Sequence, residues 1–541
     1  TTTSDANPML TISGGATTFD WGKFTYKGAM PTSGKLTLMK NTANIHLGAT
    51  YTGAKELAGS DTTEAFIDTN TSAPTATEIL IKGYTFKGNA LTPTTGSATE
   101  DVWAGRSVIG NTTTGNTLTV NGTTHRDAYG GWTAGTGTSK AAKKDSTGNT
   151  VNLMSGTVRN IYGGFTSSDG GSATDNKVNI SGGTVGTGGT VYGGYISSAT
   201  SAGDATGNSV TITGGTVGDV YAGYTAGTGK TTGSTVNLGT KDDAVASGTV
   251  IGTIYGGNKT DTTGNTLNIY DSATAKNIQN FDTVHFKGNS PHIAAGDTLL
   301  TLTNGATNLD WKKIYVDDLD SVTASATGDH IFTLLKNTNT INLSNYSTTG
   351  TRGNIKSDDY EADLVTDGNS ATPQNVYLKG YRFQNNKNAA YAGGAAPDGA
   401  WGGRSIIGKT VKNNTLTVTG GSTSLNARGG MVENTERNAD GSVKTSGNAE
   451  TNKLILNAGA QTADAYGTEV KTKDGSATGN EVHLTAGTVG GNVYGAALTA
   501  TGATGSVTGS IVEVTGGTVG GSVYGAALRA AGATGSVTGS I

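Results

Sequence analysis

The chain of 541 residues contains no cysteine, so neither disulfides nor thiolate metal sites hold its fold. That absence suits a chain kept unlocked during export. Charge is scarce as well. Only 14% of residues are Asp, Glu, Lys or Arg, too few for the usual disordered chain, which stays unfolded through high charge and low hydrophobicity. The formal net charge is −4 and no Lys/Arg-rich block occurs. The nearest, Lys140 to Lys144, is short and broken by alanines, and a nucleic-acid partner would need a basic stripe. No apolar run approaches the length of a membrane helix, so insertion of this stretch into a membrane is not expected. The opening TTTSDANPML has neither the basic start nor the apolar stretch of a signal peptide. Apolar residues make up 34%, low for a compact globular domain. What is abundant is glycine, 86 residues against 7 prolines. A thin core with many turns fits these figures, and stacked β-coils have such a core, because each coil buries a few inward side chains against its neighbours.

A repeat supplies the coils. GNTLTV at Gly115 returns as GNTVNL at Gly148, DNKVNI at Asp175, GNSVTI at Gly207, GSTVNL at Gly233 and GNTLNI at Gly264. It returns again as NNTLTV at Asn413, TNKLIL at Thr451, GNEVHL at Gly479 and GSIVEV at Gly509. Each opens a short alternating run, the period of a strand with one face buried. A Tyr element follows most of them: Y-G-G at Tyr129, Tyr162, Tyr192 and Tyr255, Y-A-G at Tyr221, and Y-G-A at Tyr494 and Tyr524. Between the two lies a Gly-Gly turn with a short strand, such as TGGTV from Thr213. Spacing varies mainly in the loop after the Tyr element, where a solenoid tolerates insertions. Helices are excluded by the Gly and β-branched content of these segments, and a propeller blade needs a longer unit. The expected fold is all-β, an elongated parallel β-helix (β-solenoid), right-handed by the default of that class. Stacking would place Asn116, Asn149, Asn176, Asn208 and Asn265 over one another, with Asn480 in a later set, as an amide ladder. Tyr129, Tyr162, Tyr192, Tyr221 and Tyr255, and likewise Tyr494 and Tyr524, would form aromatic stacks.

A longer duplication overlies the repeat. TISGGATTFDWGKF from Thr11 matches TLTNGATNLDWKKI from Thr301, and LTLMKNTANIHL from Leu36 matches FTLLKNTNTINL from Phe332. IKGYTFKGN from Ile81 matches LKGYRFQNN from Leu378, and WAGRSVIG from Trp103 matches WGGRSIIG from Trp401. Each module thus has an irregular Trp-containing part and a regular part: 1–114 then 115–285, and 286–412 then 413–541. The irregular parts also alternate, and are expected to continue the solenoid with larger outward loops. Because the final repeat breaks off and the opening lacks a lead-in seen at Asn277 to Leu300, the chain reads as a piece of something longer.

The segment IQNFDTVHF (Ile278 to Phe286) with AAGDTLLTLTNGATNLDW (Ala294 to Trp311), and the SGGTV…VYGG coils, resemble the passenger domains of Gram-negative autotransporters. The resemblance is one of pattern and composition over nearly the whole chain. It implies a β-helical passenger at the bacterial cell surface, exported by a signal and anchored by a C-terminal outer-membrane barrel, neither of which is in this sequence. Passengers of this type are often adhesins or self-associating proteins, and some carry enzymes.

Candidate chemistry is sparse. None of His46, His125, His285, His292, His330 and His483 pairs at metal-ligand spacing. Asp20 and Asp310 precede Trp21 and Trp311 in the two modules, and this recurrence points to a turn or cap role over catalysis. Asp317, Asp318 and Asp320 lack the glycine and further oxygens of a calcium loop and read as a solvated acidic loop. Arg106 and Arg404, in matching GRS motifs, are expected to stack on Trp103 and Trp401 or to bond turn carbonyls, which explains them without a ligand. Trp103 and Trp132, read as exposed, could stack on sugar rings, but the recurrence of Trp132 as Phe165, Tyr195 and Tyr224 favours a second structural ladder over a glycan contact. No catalytic, cofactor-binding or metal residue is assigned, and no cofactor is expected.

The leading expectation is a non-enzymatic surface protein acting in adhesion or self-association. Its expected partners are host-cell or bacterial surface molecules, glycans among them, and copies of itself, with no nucleic acid. A glycan-cleaving β-helix enzyme and a polymer-forming module of a surface filament or layer are the alternatives.

Overall fold

The computed structural model describes residues 8–28, 31, 34–57, 59–134, 144–186, 188–288, 290–293, 296–317, 330–347, 360–394, 399–434 and 446–541. Strands dominate, with a few three-residue 3-10 turns such as Trp21–Lys23 and Trp311–Lys313. The chain divides into two compact units, Thr1–Asn268 with Ala275–Asp282, and Ile269–Thr274 with Thr283–Ile541. Each contains a parallel β-solenoid.

In the first unit the repeat openings form one parallel sheet: Thr117–Val120, Thr150–Leu153, Lys177–Ile180, Ser209–Ile212 and Thr235–Leu238 pair in sequence order. Registers are unslipped, so Leu118, Val151, Val178, Val210 and Val236 line up, as do Val120, Leu153, Ile180, Ile212 and Leu238. All ten are buried. With a side-chain period of two, a one-residue slip would expose each of these rows, so the alternating pattern fixes the register. The Tyr elements form a second parallel sheet, including Thr123–Thr133, Gly156–Thr166, Thr190–Ile196 and Asp219–Thr225. Two-residue strands, Thr113–Thr114, Ser146–Thr147 and Ala173–Thr174, make a third. The second unit repeats the scheme with Thr415–Val418, Lys453–Leu456, Glu481–Leu484 and Ile511–Val514, closed by the Ala400–Ser405 to Val523–Leu528 series.

The corner before each ladder asparagine adopts a left-handed backbone. φ is +64° at Gly115, +63° at Gly148, +67° at Gly207 and +61° at Gly479. Three coils break the glycine rule, with Asp175 at +57°, Asn413 at +56° and Thr451 at +54°. Asp and Asn tolerate this region, whereas a β-branched residue does not. Thr451→Asn is expected to raise stability by about 1 kcal/mol, read as a higher urea midpoint at unchanged slope. A lowered midpoint would refute this account of the corner.

The irregular parts continue the solenoid through parallel pairs, Leu10–Ile12 and Thr17–Thr18 with Gly34–His46 and Thr298–Leu302 with His330–Asn337, but each also carries antiparallel strands that its alternating pattern does not announce. In the first unit Thr75–Thr85 pairs antiparallel with both Gly34–His46 and Thr63–Thr69, and Lys55–Leu57 pairs antiparallel with Thr63–Thr69. Trp21, Leu38, Ile45, Ile67, Ile79 and Ile81 fill a core of their own there. In the second unit Asn375–Arg382 likewise runs antiparallel to His330–Asn337 and Tyr360–Thr366. Alternation marks a one-sided strand without stating its direction, so sequence pattern could not separate the two arrangements.

Candidate functional site

The ladder asparagines are buried and bonded on every side. Asn116 Nδ2 donates to Asn149 Oδ1 (2.8 Å), Asn149 Nδ2 to Asn176 Oδ1 (3.1 Å) and Asn176 Nδ2 to Asn208 Oδ1 (3.1 Å). Each Nδ2 also donates to a main-chain carbonyl one coil back: Asn149 to Thr113 O (3.0 Å), Asn176 to Ser146 O (2.9 Å) and Asn208 to Ala173 O (2.9 Å). Main-chain N–H groups follow the same direction, that of Asn149 donating to Asn176 Oδ1 (3.1 Å). Asn265 enters one step later. Ser234 takes the intervening place, accepting from Asn208 N (3.3 Å) and donating its own N–H to Asn265 Oδ1 (3.1 Å). In the second unit Asn414, Asn452 and Asn480 repeat the ladder at 2.8 and 3.0 Å. Asn414 and Asn452 lie in the repeat openings NNTLTV and TNKLIL, and the structure adds them to the ladder.

The glycines of the Tyr elements make room for these amides. A Cβ on Gly105, Gly131 or Gly164 would fall 2.1, 2.4 or 2.3 Å from the Nδ2 of Asn116, Asn149 or Asn176. The register position that is Gly430 in one coil becomes Thr468 and then Ala496 in the next two. By the coil order that sets Gly430 against Asn452, Thr468 goes with Asn480, which keeps its ladder bond, and Ala496 with the smaller Ser510, whose N–H donates to Ser540 Oγ (3.3 Å).

The Tyr rings stack. Tyr129, Tyr162, Tyr192, Tyr221 and Tyr255 follow one another at centroid distances of 4.8, 5.2, 5.6 and 4.3 Å, within 16° of parallel. Tyr494 stacks on Tyr524 at 5.2 Å, and the stack extends back to Tyr466 at 5.0 Å, hidden from the motif search by its Y-G-T sequence. Burial pushes the Tyr192 hydroxyl up to about 12. Trp132, Phe165, Tyr195 and Tyr224 form the second stack, at 6.1, 5.5 and 5.0 Å.

Asp20 and Asp310 cap the 3-10 turns that hold Trp21 and Trp311, accepting from Gly22 N (2.9 Å) and Lys312 N (2.9 Å). Asp317 is not a loop residue: it ends the strand Ile314–Asp317, bonded by Lys287 Nζ (2.6 Å) and His285 Nδ1 (2.9 Å). Burial pushes its carboxyl up, but those two bonds outweigh burial and hold it below its ordinary value. Facing groups on a paired strand thus replace the solvated loop read from the acidic run. Asp318 and Asp320 lie outside the described residues. Among the described residues no three His, Cys, Asp or Glu side chains converge as metal ligands would.

Two buried acids escaped the sequence reading. Glu64 accepts from Ser107 Oγ (2.7 Å), Val108 N (2.6 Å) and Asn111 Nδ2 (3.0 Å). Glu361 occupies the matching place, accepting from Ser405 Oγ (3.1 Å) and from Ile406 N. Each clamps the turn after a GRS motif. Burial raises both carboxyls, Glu361 to about 8, against the pull of these donors. Matching glutamates in TEAFIDT and YEADLVT were the available signal, but they stand more than forty residues from the motif that they hold.

One concave feature is built from functional side-chain types. Thr99, Glu100, Asp101, Trp103, Arg106, Arg126, Tyr129 and Trp132 line an open groove of about 430 Å³. Trp103 and Trp132 are half-buried in its walls, less exposed than the sequence suggested, because Arg106 covers them. The Arg106 guanidinium lies 4.2 Å from the Trp103 ring centre, 4.6 Å from Tyr84 and 4.7 Å from Trp132. Arg126 grips Asp101 through two bonds, Nε to Oδ1 (2.8 Å) and Nη2 to Oδ2 (2.6 Å). Comparison of the chain with known protein families, with curated proteins and with solved structures finds no match.

Proposed function

We propose that this chain is the passenger part of an autotransporter-like protein, displayed at a bacterial surface, acting without catalysis in adhesion or self-association. The carrying observation is the outward face of the regular coils in the first unit. There Thr119, Asn152, Asn179, Thr211 and Asn237 occupy one register row, one residue per coil. The row is ordered by its own bonds: Asn179 Nδ2 donates to Asn152 Oδ1 (2.9 Å) and Asn237 Nδ2 to Thr211 Oγ1 (3.2 Å). Side chains so tied lose little freedom on contact, and a repeated polar row favours shallow multivalent binding, in which many weak contacts multiply.

The test displays the chain on a heterologous outer-membrane barrel and measures settling of the bacteria and their attachment to host cells. Clumping or attachment is expected, reduced several-fold by the joint change of Asn152, Asn179 and Asn237 to Lys, which places like charges in one row. Neither clumping nor attachment at full surface expression would sink the reading.

A further inference from the structure

The two modules carry the same arginine in a similar setting, with two differences. In the second, Arg404 lies 4.4 Å from the Trp401 ring and 4.8 Å from Tyr381, and Glu433 completes it, accepting from Nη2 (2.7 Å) and Nε (3.1 Å). In the first, Arg106 lies over the matching Trp103 and Tyr84, with Trp132 in the place of Met431 as a third ring, and the residue aligned with Glu433 is Ala134. Strand register fixes that alignment, pairing Arg106 with Trp132 and Thr133 with Ser107, as Arg404 pairs with Met431 and Val432 with Ser405. The following stretch, 135–143, contains no acidic residue. Among the described residues the Arg106 side chain has neither a hydrogen bond nor an ion pair, and its Nε is buried without a partner. The buried Nε–H is costly to keep, because it has given up water and received no acceptor in return, while the rest of the half-buried guanidinium faces the groove.

We propose that the Trp103–Arg106–Trp132 groove binds a carboxylate-bearing sugar, whose carboxylate pairs with the groove-facing side of the Arg106 guanidinium and supplies the counter-charge that Glu433 gives Arg404. Stacking against Trp103 and Tyr84 fixes the guanidinium plane, so the fork is oriented before the ligand arrives. The rest of the groove matches a saccharide. Trp103, Tyr129 and Trp132 offer apolar walls for ring C–H groups, while Thr99, Glu100, Asp101 and Arg126 offer acceptors and donors for hydroxyls. About 430 Å³ accommodates one or two sugar rings. An acidic peptide would satisfy the cation alone and leave the hydroxyl partners unused. This inference deepens the adhesion reading by naming a ligand class, and it rests on that reading for its biological setting.

The experiment is titration calorimetry of the purified 541-residue chain, independent of any display assay. The probes are an oligogalacturonate and a sialyl-lactose, with lactose as the uncharged control and a glutamate hexapeptide as the uncarbohydrated one. Saturable binding of at least one acidic saccharide is expected, at least tenfold tighter than lactose or the peptide and weakened by added salt. Arg106→Gln should reduce it at least tenfold with an unchanged melting temperature. Ala134→Glu should do the same by supplying the internal carboxylate. If that variant fails to fold, Arg106→Gln alone decides. Equal affinity for lactose or for the peptide, unaltered binding by Arg106→Gln, or no binding at millimolar saccharide overturns the proposal. A groove that binds in solution while displayed cells fail to adhere would separate this result from the adhesion reading.

Discussion

Gly164→Ala is expected to lower the stability of the first unit by about 3 kcal/mol, near the top of the range for forcing one methyl into a close-packed interior. The new Cβ would lie 2.3 Å from Asn176 Nδ2 and 2.4 Å from Asn176 Cγ. Asn176 cannot move aside, since it holds Ser146 O and Asn208 Oδ1 and receives the N–H of Asn149. Displacing it leaves buried donors and acceptors unmatched on three coils, each costing about 1–3 kcal/mol. The chain itself supplies the rescue: where the glycine position is Ala496, the amide position is Ser510, and Ser234 already serves as a ladder rung. Gly164→Ala with Asn176→Ser is therefore expected to be more stable than the sum of the single changes by at least about 1 kcal/mol, measured by urea denaturation in a double-mutant cycle. Additive losses would show that the glycine is not there to admit the amide.

The second large effect concerns the buried clamp in the second unit. Glu361→Ala should cost about 3 kcal/mol, because it leaves Ile406 N and Ser405 Oγ without their acceptor in a closed interior. The same group predicts a pH dependence. Its carboxyl is raised from an ordinary 4.5 to about 8, so the folded chain holds this proton more tightly than the unfolded one. The stabilisation is then fully present below about 4.5, falls as pH rises, and is lost above about 8. Glu361→Gln, which keeps an acceptor for Ile406 N and cannot ionise, should flatten that decline. The measurement is the difference in melting temperature between wild type and Glu361→Gln from pH 4 to 9. Parallel curves, or a wild type that gains on the variant with rising pH, would refute a neutral Glu361 in the folded state.

The regular coils were legible because their information is periodic. The same Asn and Tyr recur at the same place in each unit, so stacking one coil puts every copy in register, and the amide and ring ladders follow from one spacing. Tyr466 was missed only because its neighbours read Y-G-T, and Ser234 because a shorter hydroxyl replaces the amide. The paired roles of Asp20 and Asp310 were likewise legible, since recurrence before Trp21 and Trp311 marks a cap.

By itself, then, the sequence determined an all-β stacked fold and most of its ladder positions, and it offered the stacking of Arg106 and Arg404 on their tryptophans as one of two readings. The tertiary structure alone decided the features that depend on strand direction and on partners far apart in the chain. Alternation is the same for parallel and antiparallel strands, so the antiparallel sheets around Thr75–Thr85 and Asn375–Arg382 emerged only from the pairing itself. Glu64 reaches Ser107, Glu361 reaches Ser405 and Lys287 reaches Asp317 across intervals that carry no periodic signal. The difference between Arg404 and Arg106 is of the same kind. One carboxylate, Glu433, closes the first, and Ala134 leaves the second open, because a charge partner is chosen by where folding brings the chain and not by spacing along it.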